Sequence, residues 1–326
     1  MKQKVIVIVG PTASGKSALG VYLAQKLGGE VISADSRQVY RGLDIGTGKV
    51  TKKEMSGIPH HMLDVVSPRK IYNASDFKKD AEKALAKIIQ NNKLPIIVGG
   101  TGLYIDVLLG RVVLPDVPPN EKLRALLEKK PVEQLLAMLQ EKDPARAATI
   151  EPKHKRRIIR ALEIAESNLR SQKNSEGGSA ARLARERAHR QQAVTRTPEG
   201  LFGAELDIMW LGISPEEKVL HKNIHTRLLA RLKSGMLAEA KKLHTKGLSY
   251  KRMEQLGLEY RYLARMLQNK SAEGALLQEL EREIQKYAKR QMRWFIRNKE
   301  INWIKNSPKS RAGNAEALKT ARLWQS

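Results

Sequence analysis

The chain opens on five apolar residues without a polar interruption, Val5-Ile6-Val7-Ile8-Val9, and then changes to a helical spacing that puts Leu19, Tyr22, Leu23 and Leu27 on one face. A short unbroken run of β-branched residues is the pattern of a strand buried on both sides, as in a parallel sheet. The alternation recurs: Glu30-Val31-Ile32-Ser33-Ala34 is strand-like, residues 75–91 have helical periodicity, and Pro95-Ile96-Ile97-Val98 is strand-like again. Such β-α-β units predict an α/β fold, a P-loop parallel sheet covered by helices. Pro115, Pro118 and Pro119 then mark a boundary, beyond which the pattern is helical almost throughout. Residues 207–213 are strand-like and predict a return to the sheet; from Glu216 amphipathic helices run to the end. The expected organisation is residues 1–115 as the first part of the core, 116–204 as an inserted all-helical domain, and 205–326 as the return strand with basic C-terminal helices. Within the insertion, residues 174–179 have linker composition, and residues 180–192 read as a basic helix or an unstructured arm.

In a parallel sheet ligands gather beyond the carboxyl ends of the strands, so three strand ends become informative together. The first is Gly10-Pro11-Thr12-Ala13-Ser14-Gly15-Lys16-Ser17. Its G-x-x-x-x-G-K-S spacing curls backbone NH groups and a helix N-terminus around phosphate oxygens, with Lys16 as a point charge and the Ser17 hydroxyl as a ligand for Mg²⁺. The second is Asp35-Ser36-Arg37-Gln38, where the carboxylate can accept a proton, hold Mg²⁺ through water, or cap a helix beginning near Ser36. The third is Gly99-Gly100-Thr101-Gly102, which lacks the acid that nucleotide-hydrolysing phosphate loops usually place after an apolar strand. ATP hydrolysis is thereby disfavoured. Thr101 can donate to a substrate or satisfy its own turn, and Tyr104 reads as core or wall.

Charge changes the picture further. The formal net charge is +26, spread over both halves of the chain, which points to a polyanionic partner. Lys153, Lys155, Arg156, Arg157 and Arg160 form a basic cluster that suits phosphate contacts or a solvated helix face. Trp294 and Phe295 can stack a base or pack into the core. There is no cysteine, which removes disulfides, thiol nucleophiles and Cys-ligated zinc, and fits a reducing cytoplasm. The N-terminal apolar run is too short for a signal peptide, and no run reaches the length needed to span a membrane.

These motifs, in this order, resemble the tRNA dimethylallyltransferases. The resemblance rests on the phosphate loop; on residues 32–40, ISADSRQVY; on 42–49, GLDIGTGK; and on 59–64, PHHMLD. It continues through 72–77, YNASDF; 98–104, VGGTGLY; 156–163, RRIIRALE; and 289–295, KRQMRWF. It implies prenyl transfer from dimethylallyl diphosphate to N6 of the adenosine immediately 3′ of a tRNA anticodon, with release of pyrophosphate. On that resemblance Asp35 is the general base, with Thr101 and Lys16 beside it at the reaction centre. Gly10 to Ser17 hold the diphosphate, and Ser17 holds Mg²⁺. Asp35, Ser36, Arg37, Gln38, Thr101, Arg124, Lys155, Arg156, Arg157, Ile158 and Ile159 contact tRNA. A bacterial-type, cytoplasmic, monomeric enzyme is implied. Two departures stand out: the Ala/Arg-rich segment 168–203, and Leu258 where many members carry tyrosine. Two other readings remain open on the residues alone, a P-loop kinase of a small metabolite and a non-catalytic RNA-binding protein.

Overall fold

The structure, a computed structural model, describes residues 2–173, 205–268, 273–304 and 310–325. The segment expected to be a linker and basic arm, 174–192, lies outside them. The chain divides into two compact units, Met1–Val112 with Thr197–Ser326, and Val113–Arg196.

The first unit is built on strands β1 (Gln3–Val9), β2 (Gly29–Ala34), β3 (His60–His61), β4 (Leu94–Gly99), β5 (Leu206–Ile213) and β6 (Asn302–Ile304). They form one sheet in the order β3-β2-β4-β1-β5-β6, parallel at every pairing. β1 is central, between β4 and the return strand β5. Every residue from Val5 to Val9 is fully buried, and the strand's period of two divides them between two cores. Val5, Val7 and Val9 join Ile32 and Ile97 under Phe77, Ala81 and Leu85 of α3 (Ala74–Gln90) and Tyr104 of α4 (Gly102–Leu108). Ile6 and Ile8 face Leu19 and Leu23 of α1 (Lys16–Leu27) and Ala317 and Ala321 of the last helix (Arg311–Gln325). Each such side chain contributes about 1.5–3 kcal/mol of burial free energy, so the unbroken apolar run is the sequence signature of a strand covered on both sides.

Local signals set the element boundaries. α3 starts one residue before the expected 75 because Asn73 caps it, accepting from the NH groups of Ser75 and Asp76 while the Asp76 carboxylate accepts from the Asn73 NH. Such a reciprocal box satisfies NH groups that the first turn leaves free. Two strands go beyond the sequence reading. β3 has two residues and β6 three, too short to display a period; β6 interrupts what reads as uninterrupted helix by pairing with Leu211–Ile213.

A third core gathers Val39, Tyr40 and Leu43, just past β2, with the C-terminal helices. α2 (Lys52–Met55) is a single capped turn. In the second unit α5 (Glu121–Glu128), α6 (Val132–Lys142), α7 (Pro144–Thr149) and α8 (Lys155–Lys173) enclose a small core of Leu127, Leu135, Leu139, Ile158, Ile159 and Leu162. The first unit resumes with α9 (Glu217–Lys233), α10 (Met236–Thr245), α11 (Tyr250–Gln255), α12 (Leu258–Leu267), α13 (Glu273–Phe295) and α14 (Arg311–Gln325). No helix among the described residues is long and apolar enough to cross a membrane.

Candidate active site

The phosphate loop leaves β1 through Gly10, whose φ is +148°. A Cβ there would lie 2.5 Å from the Ile213 carbonyl oxygen, so only glycine lets the end of β5 pass this closely. Ala13 and Gly15 take left-handed conformations, φ 61° and 97°, and the chain enters α1 at Lys16. The Lys16 ammonium donates to the Pro11 carbonyl at 2.5 Å. Ser14 is 3% exposed, and its hydroxyl has no hydrogen-bond partner among the described residues. A buried hydroxyl left unpaired is costly, and a phosphate oxygen is a fitting partner. The Thr12 NH, expected to face phosphate, instead donates to Gln291 Oε1 at 2.8 Å; only the Thr12 side chain is left for that role.

Beside the loop, at the end of β2, Asp35 Oδ1 accepts from the NH groups of Arg37 at 2.8 Å and Gln38 at 3.3 Å. The carboxylate therefore caps its own turn with one oxygen. Oδ2 has no hydrogen-bond partner among the described residues, so capping and proton acceptance are compatible. Thr101, at the end of β4, does not close its own turn: its hydroxyl accepts from the Ser36 NH at 3.1 Å and its NH donates to Ala34 at 3.2 Å.

Asp35, Ser36, Arg37 and Gln38 line a cavity of about 440 Å³ together with Thr12, Ala13, Gly15, Lys16 and Ser17. Its opposite wall comes from α9, α12 and α13, through Arg227, Glu259, Tyr287 and Gln291. Arg227 donates to the Gly48 carbonyl at 3.0 Å, and Arg231 donates to Gly46 and to Glu259. Gly48 has φ +58°, and a Cβ there would fall 2.1 Å from the Arg231 guanidinium and 2.5 Å from that of Arg227. Glu239 braces the same loop, accepting from the NH groups of Asp44, Ile45 and Gly46 and from the Tyr260 hydroxyl.

The cavity is lined by charges of both signs, Lys16, Arg37 and Arg227 with Asp35, Glu54 and Glu259. Burial, and then the neighbouring Arg227, bring Lys16 down to about 7, against a smaller opposing pull from Asp35. Burial and Arg231 bring Arg227 to about 10. Tyr287 is pushed up to about 12 by burial and by Asp35, which keeps its phenol neutral. Lys16 and Arg227, both held below their ordinary values by burial, are the buried bases that a bound anion would meet, and the Asp35 carboxylate lines the same cavity. No group of three or more His, Cys, Asp or Glu able to hold a metal occurs among the described residues.

The remaining predicted residues belong to the second unit. Arg124 forks onto Glu163, with Nε at 3.0 Å and Nη2 at 2.9 Å from its two oxygens. Lys155 donates to the Glu128 carbonyl and Arg157 pairs with Glu151. Arg156 and Arg157 are exposed. Ile158 and Ile159 are buried in the small core, so their side chains are not offered to a partner. In the first unit Phe295 is likewise buried, while Trp294 packs against Gly102 and donates to Asp106 at 2.8 Å; both side chains serve packing.

Arg227 and Tyr287 were not singled out from the sequence, and Gly48 and Gln291 stand in the motifs 42–49 and 289–295 without an assigned role. A signal for Arg227 exists: Leu220, Ile224 and Leu228 form the buried stripe of α9, and Arg227 and Arg231 fall beside it at helical spacing. An arginine on an apolar face needs a partner or a ligand.

A protein-family model described as IPP transferase matches residues 38–299. The chain is 39% identical to a tRNA dimethylallyltransferase 2 of Treponema denticola over 310 residues, 93% of this chain and 96% of that protein. It is 38% identical to a tRNA dimethylallyltransferase 1 of Geotalea uraniireducens, over 98% of this chain and 96% of that one. Among solved structures it is similar to the full-length tRNA isopentenylpyrophosphate transferase of Bacillus halodurans, with TM-score 0.69 and 32% identity, covering 99% of this chain and 97% of that one. It is also similar to a eukaryotic dimethylallyltransferase acting on tRNA, with TM-score 0.73 and 25% identity, covering 99% and 80%.

Proposed function

As the chain belongs to the IPP transferase family, we propose that it moves the dimethylallyl group of dimethylallyl diphosphate onto N6 of the adenosine immediately 3′ of a tRNA anticodon. The observation that carries this reading is the shared cavity: the phosphate loop with Lys16 and Arg227, and Asp35 with only one carboxylate oxygen spent on its own turn, line one space.

The chemistry follows from that pairing. Adenine N6 is a poor nucleophile, and it gains strength as its proton passes to Asp35 Oδ2 while the N6–C1 bond forms. The C1–oxygen bond breaks at the same time, and pyrophosphate leaves with the bonding pair. Lys16, Arg227, the Ser14 hydroxyl and the NH groups entering α1 stabilise the charge that builds on the leaving group. Ser17, at the first turn of α1 and exposed to the cavity, fits a Mg²⁺ that arrives on the diphosphate, since that ion commonly takes one or two protein ligands plus substrate phosphates. When bound it neutralises leaving-group charge.

A stacked anticodon-loop base cannot reach such a cavity, so the target adenine is extruded, at a cost of a few kcal/mol. Asp35 to Gln38 line the cavity that receives it, and the basic first turn of α8 supplies phosphate contacts. The test is to incubate the protein with labelled dimethylallyl diphosphate, Mg²⁺ and unmodified tRNA. Label is expected in a single adenosine of the anticodon loop. Unlabelled tRNA together with ATP-dependent phosphorylation of a small molecule would overturn the reading.

A further inference from the structure

Gln291 is 7% exposed and spends both ends of its carboxamide on main chain. Oε1 accepts from the Thr12 NH at 2.8 Å, in the phosphate loop, and Nε2 donates to the Gly100 carbonyl at 2.8 Å, just past β4. The β1–β4 ladder ends at the pair Ile8–Val98; beyond it these two chains enter their loops, and the carboxamide ties them. Gly100 accommodates the tie, since a Cβ there would meet Nε2 at 2.2 Å.

The tie continues toward the carboxylate. Thr101, the next residue after Gly100, accepts from Ser36, beside Asp35. One path thus runs from the diphosphate cradle through Gln291, Gly100 and Thr101 to the Asp35 turn. α13 is itself indexed onto this path, for Tyr287 lies one turn before Gln291 and Trp294 packs on Gly102.

We propose that Gln291 is a positioning residue: its carboxamide sets the spacing between the diphosphate cradle and Asp35, and so between the leaving group and the base. This rests on the prenyl-transfer reading above. A carboxamide suits the task because one planar group offers a donor and an acceptor side by side. Reaction rate depends steeply on such spacing, with a displacement of about 1 Å costing on the order of 100-fold.

Two substitutions separate positioning from mere support. Gln291→Glu keeps the acceptor for Thr12 but turns a second oxygen toward the Gly100 carbonyl, tolerable only when the carboxyl is protonated and donates. Burial between these groups raises the pKa of the introduced carboxyl. Relative to the unaltered protein, kcat of Q291E is expected to be down about 10- to 100-fold at pH 8.5 and to recover as pH falls to 6.5. At pH 6.5, where the introduced carboxyl is protonated and carries no charge to repel the ligand, its affinity for inorganic diphosphate, measured by calorimetry, should stay within about threefold of the unaltered protein, since the Thr12 contact survives. Q291M, which loses both contacts, should show a loss that does not vary with pH. Wild-type kcat in Q291E, a loss in Q291E constant with pH, or a diphosphate affinity at pH 6.5 reduced well beyond that range each overturns the proposal. If the unaltered protein prenylates tRNA and Q291E behaves in one of these ways, the positioning role alone fails; if the unaltered protein transfers no label, the function fails and the positioning role with it.

Discussion

The hydroxyl of Thr101 accepts the backbone NH of Ser36 at 3.1 Å, which fastens the turn after β2 to the loop after β4. The Asp35 turn is therefore held by two means, the carboxylate's own cap through Oδ1 and a cross-strand hydroxyl acceptor. Losing one buried contact of this kind is worth about 1 kcal/mol in stability; on the proposed prenyl transfer, displacing Asp35 would also cost rate.

Substitutions at these two positions are expected to separate chemistry from geometry. Asp35→Asn keeps the cap acceptor and removes proton acceptance, so kcat should fall about 10²- to 10⁴-fold with little change in diphosphate affinity. Thr101→Val removes the acceptor for Ser36 and should lower kcat about tenfold, equivalent to roughly 1.4 kcal/mol, whereas Thr101→Ser should restore it. Single-turnover transfer of labelled donor to tRNA measures both. An Asp35→Asn protein working at the unaltered rate would remove the base from Asp35.

Lys16 predicts a pH signature for diphosphate binding. In the free protein burial and then Arg227 hold it near 7, so at pH 8 it is largely neutral. A bound diphosphate favours the charged form and raises its pKa. Between the free and bound values binding takes up a proton, and affinity falls as pH rises above 7, by up to about tenfold per unit. Calorimetry at pH 8 in buffers of different ionisation enthalpy should register that uptake. In Lys16→Arg, where the charge is permanent, this uptake should vanish. Equal uptake in both proteins would mean that another group titrates.

Much of this was legible in the sequence, and the reasons differ by element. The run Val5–Val9 announces itself because both faces of β1 are buried. Gly10 to Ser17 and Asp35 lie at strand ends whose location follows from the parallel order, and Thr101 from the same logic. His60–His61 and Asn302–Ile304 could not be found by periodicity, because so short a strand has none. Gln291 and Arg227 were hidden differently. Gln291 stands inside the motif 289–295 and Arg227 beside an apolar stripe, but the role of each comes from a partner far away in sequence, Thr12 in one case and Gly48 in the other. Arg124 shows the converse: its sequence context suits a phosphate contact, and only the fold brings buried Glu163 against it.

Gly48 backs the cavity's far wall through the Arg227 guanidinium, which donates to its carbonyl. A methyl group there needs a left-handed backbone, which costs about 1–2 kcal/mol, and also collides with the Arg227 and Arg231 guanidinium groups. Gly48→Ala is expected to displace Arg227 and weaken inorganic diphosphate binding about tenfold or more, roughly 1.4 kcal/mol. Arg227→Ala should do the same without the backbone strain, so its thermal midpoint should lie above that of Gly48→Ala. Unchanged diphosphate affinity in both would place Arg227 outside the anion's reach.

Arg124 and Arg156 are both basic, yet they should fail in different ways. Glu163 is 2% exposed, and it accepts from Arg124, from Arg160 and from the Asn120 NH. Burial alone would raise its pKa; those hydrogen bonds, led by Arg124, outweigh burial and hold it below the ordinary value. A depressed carboxylate stabilises the fold above its unfolded pKa of about 4.3, and that contribution is lost as pH falls through the lower folded value. Glu163→Gln should therefore cost about 3 kcal/mol at neutral pH, near the low end for breaking a buried pair because Arg124 and Arg160 keep some access to water. The same change should flatten the loss of stability in acid, which urea unfolding at pH 7 and pH 4 measures. Arg124→Ala should likewise act first on stability. Arg156→Ala and Arg157→Ala, on the exposed first turn of α8, should leave stability within about 0.5 kcal/mol. Each should instead reduce the dependence of log K for tRNA on log salt by about 0.7–0.9, the value of one released phosphate contact. An unchanged salt slope in the double variant would remove that turn from the RNA interface, whatever Arg124 does to the fold.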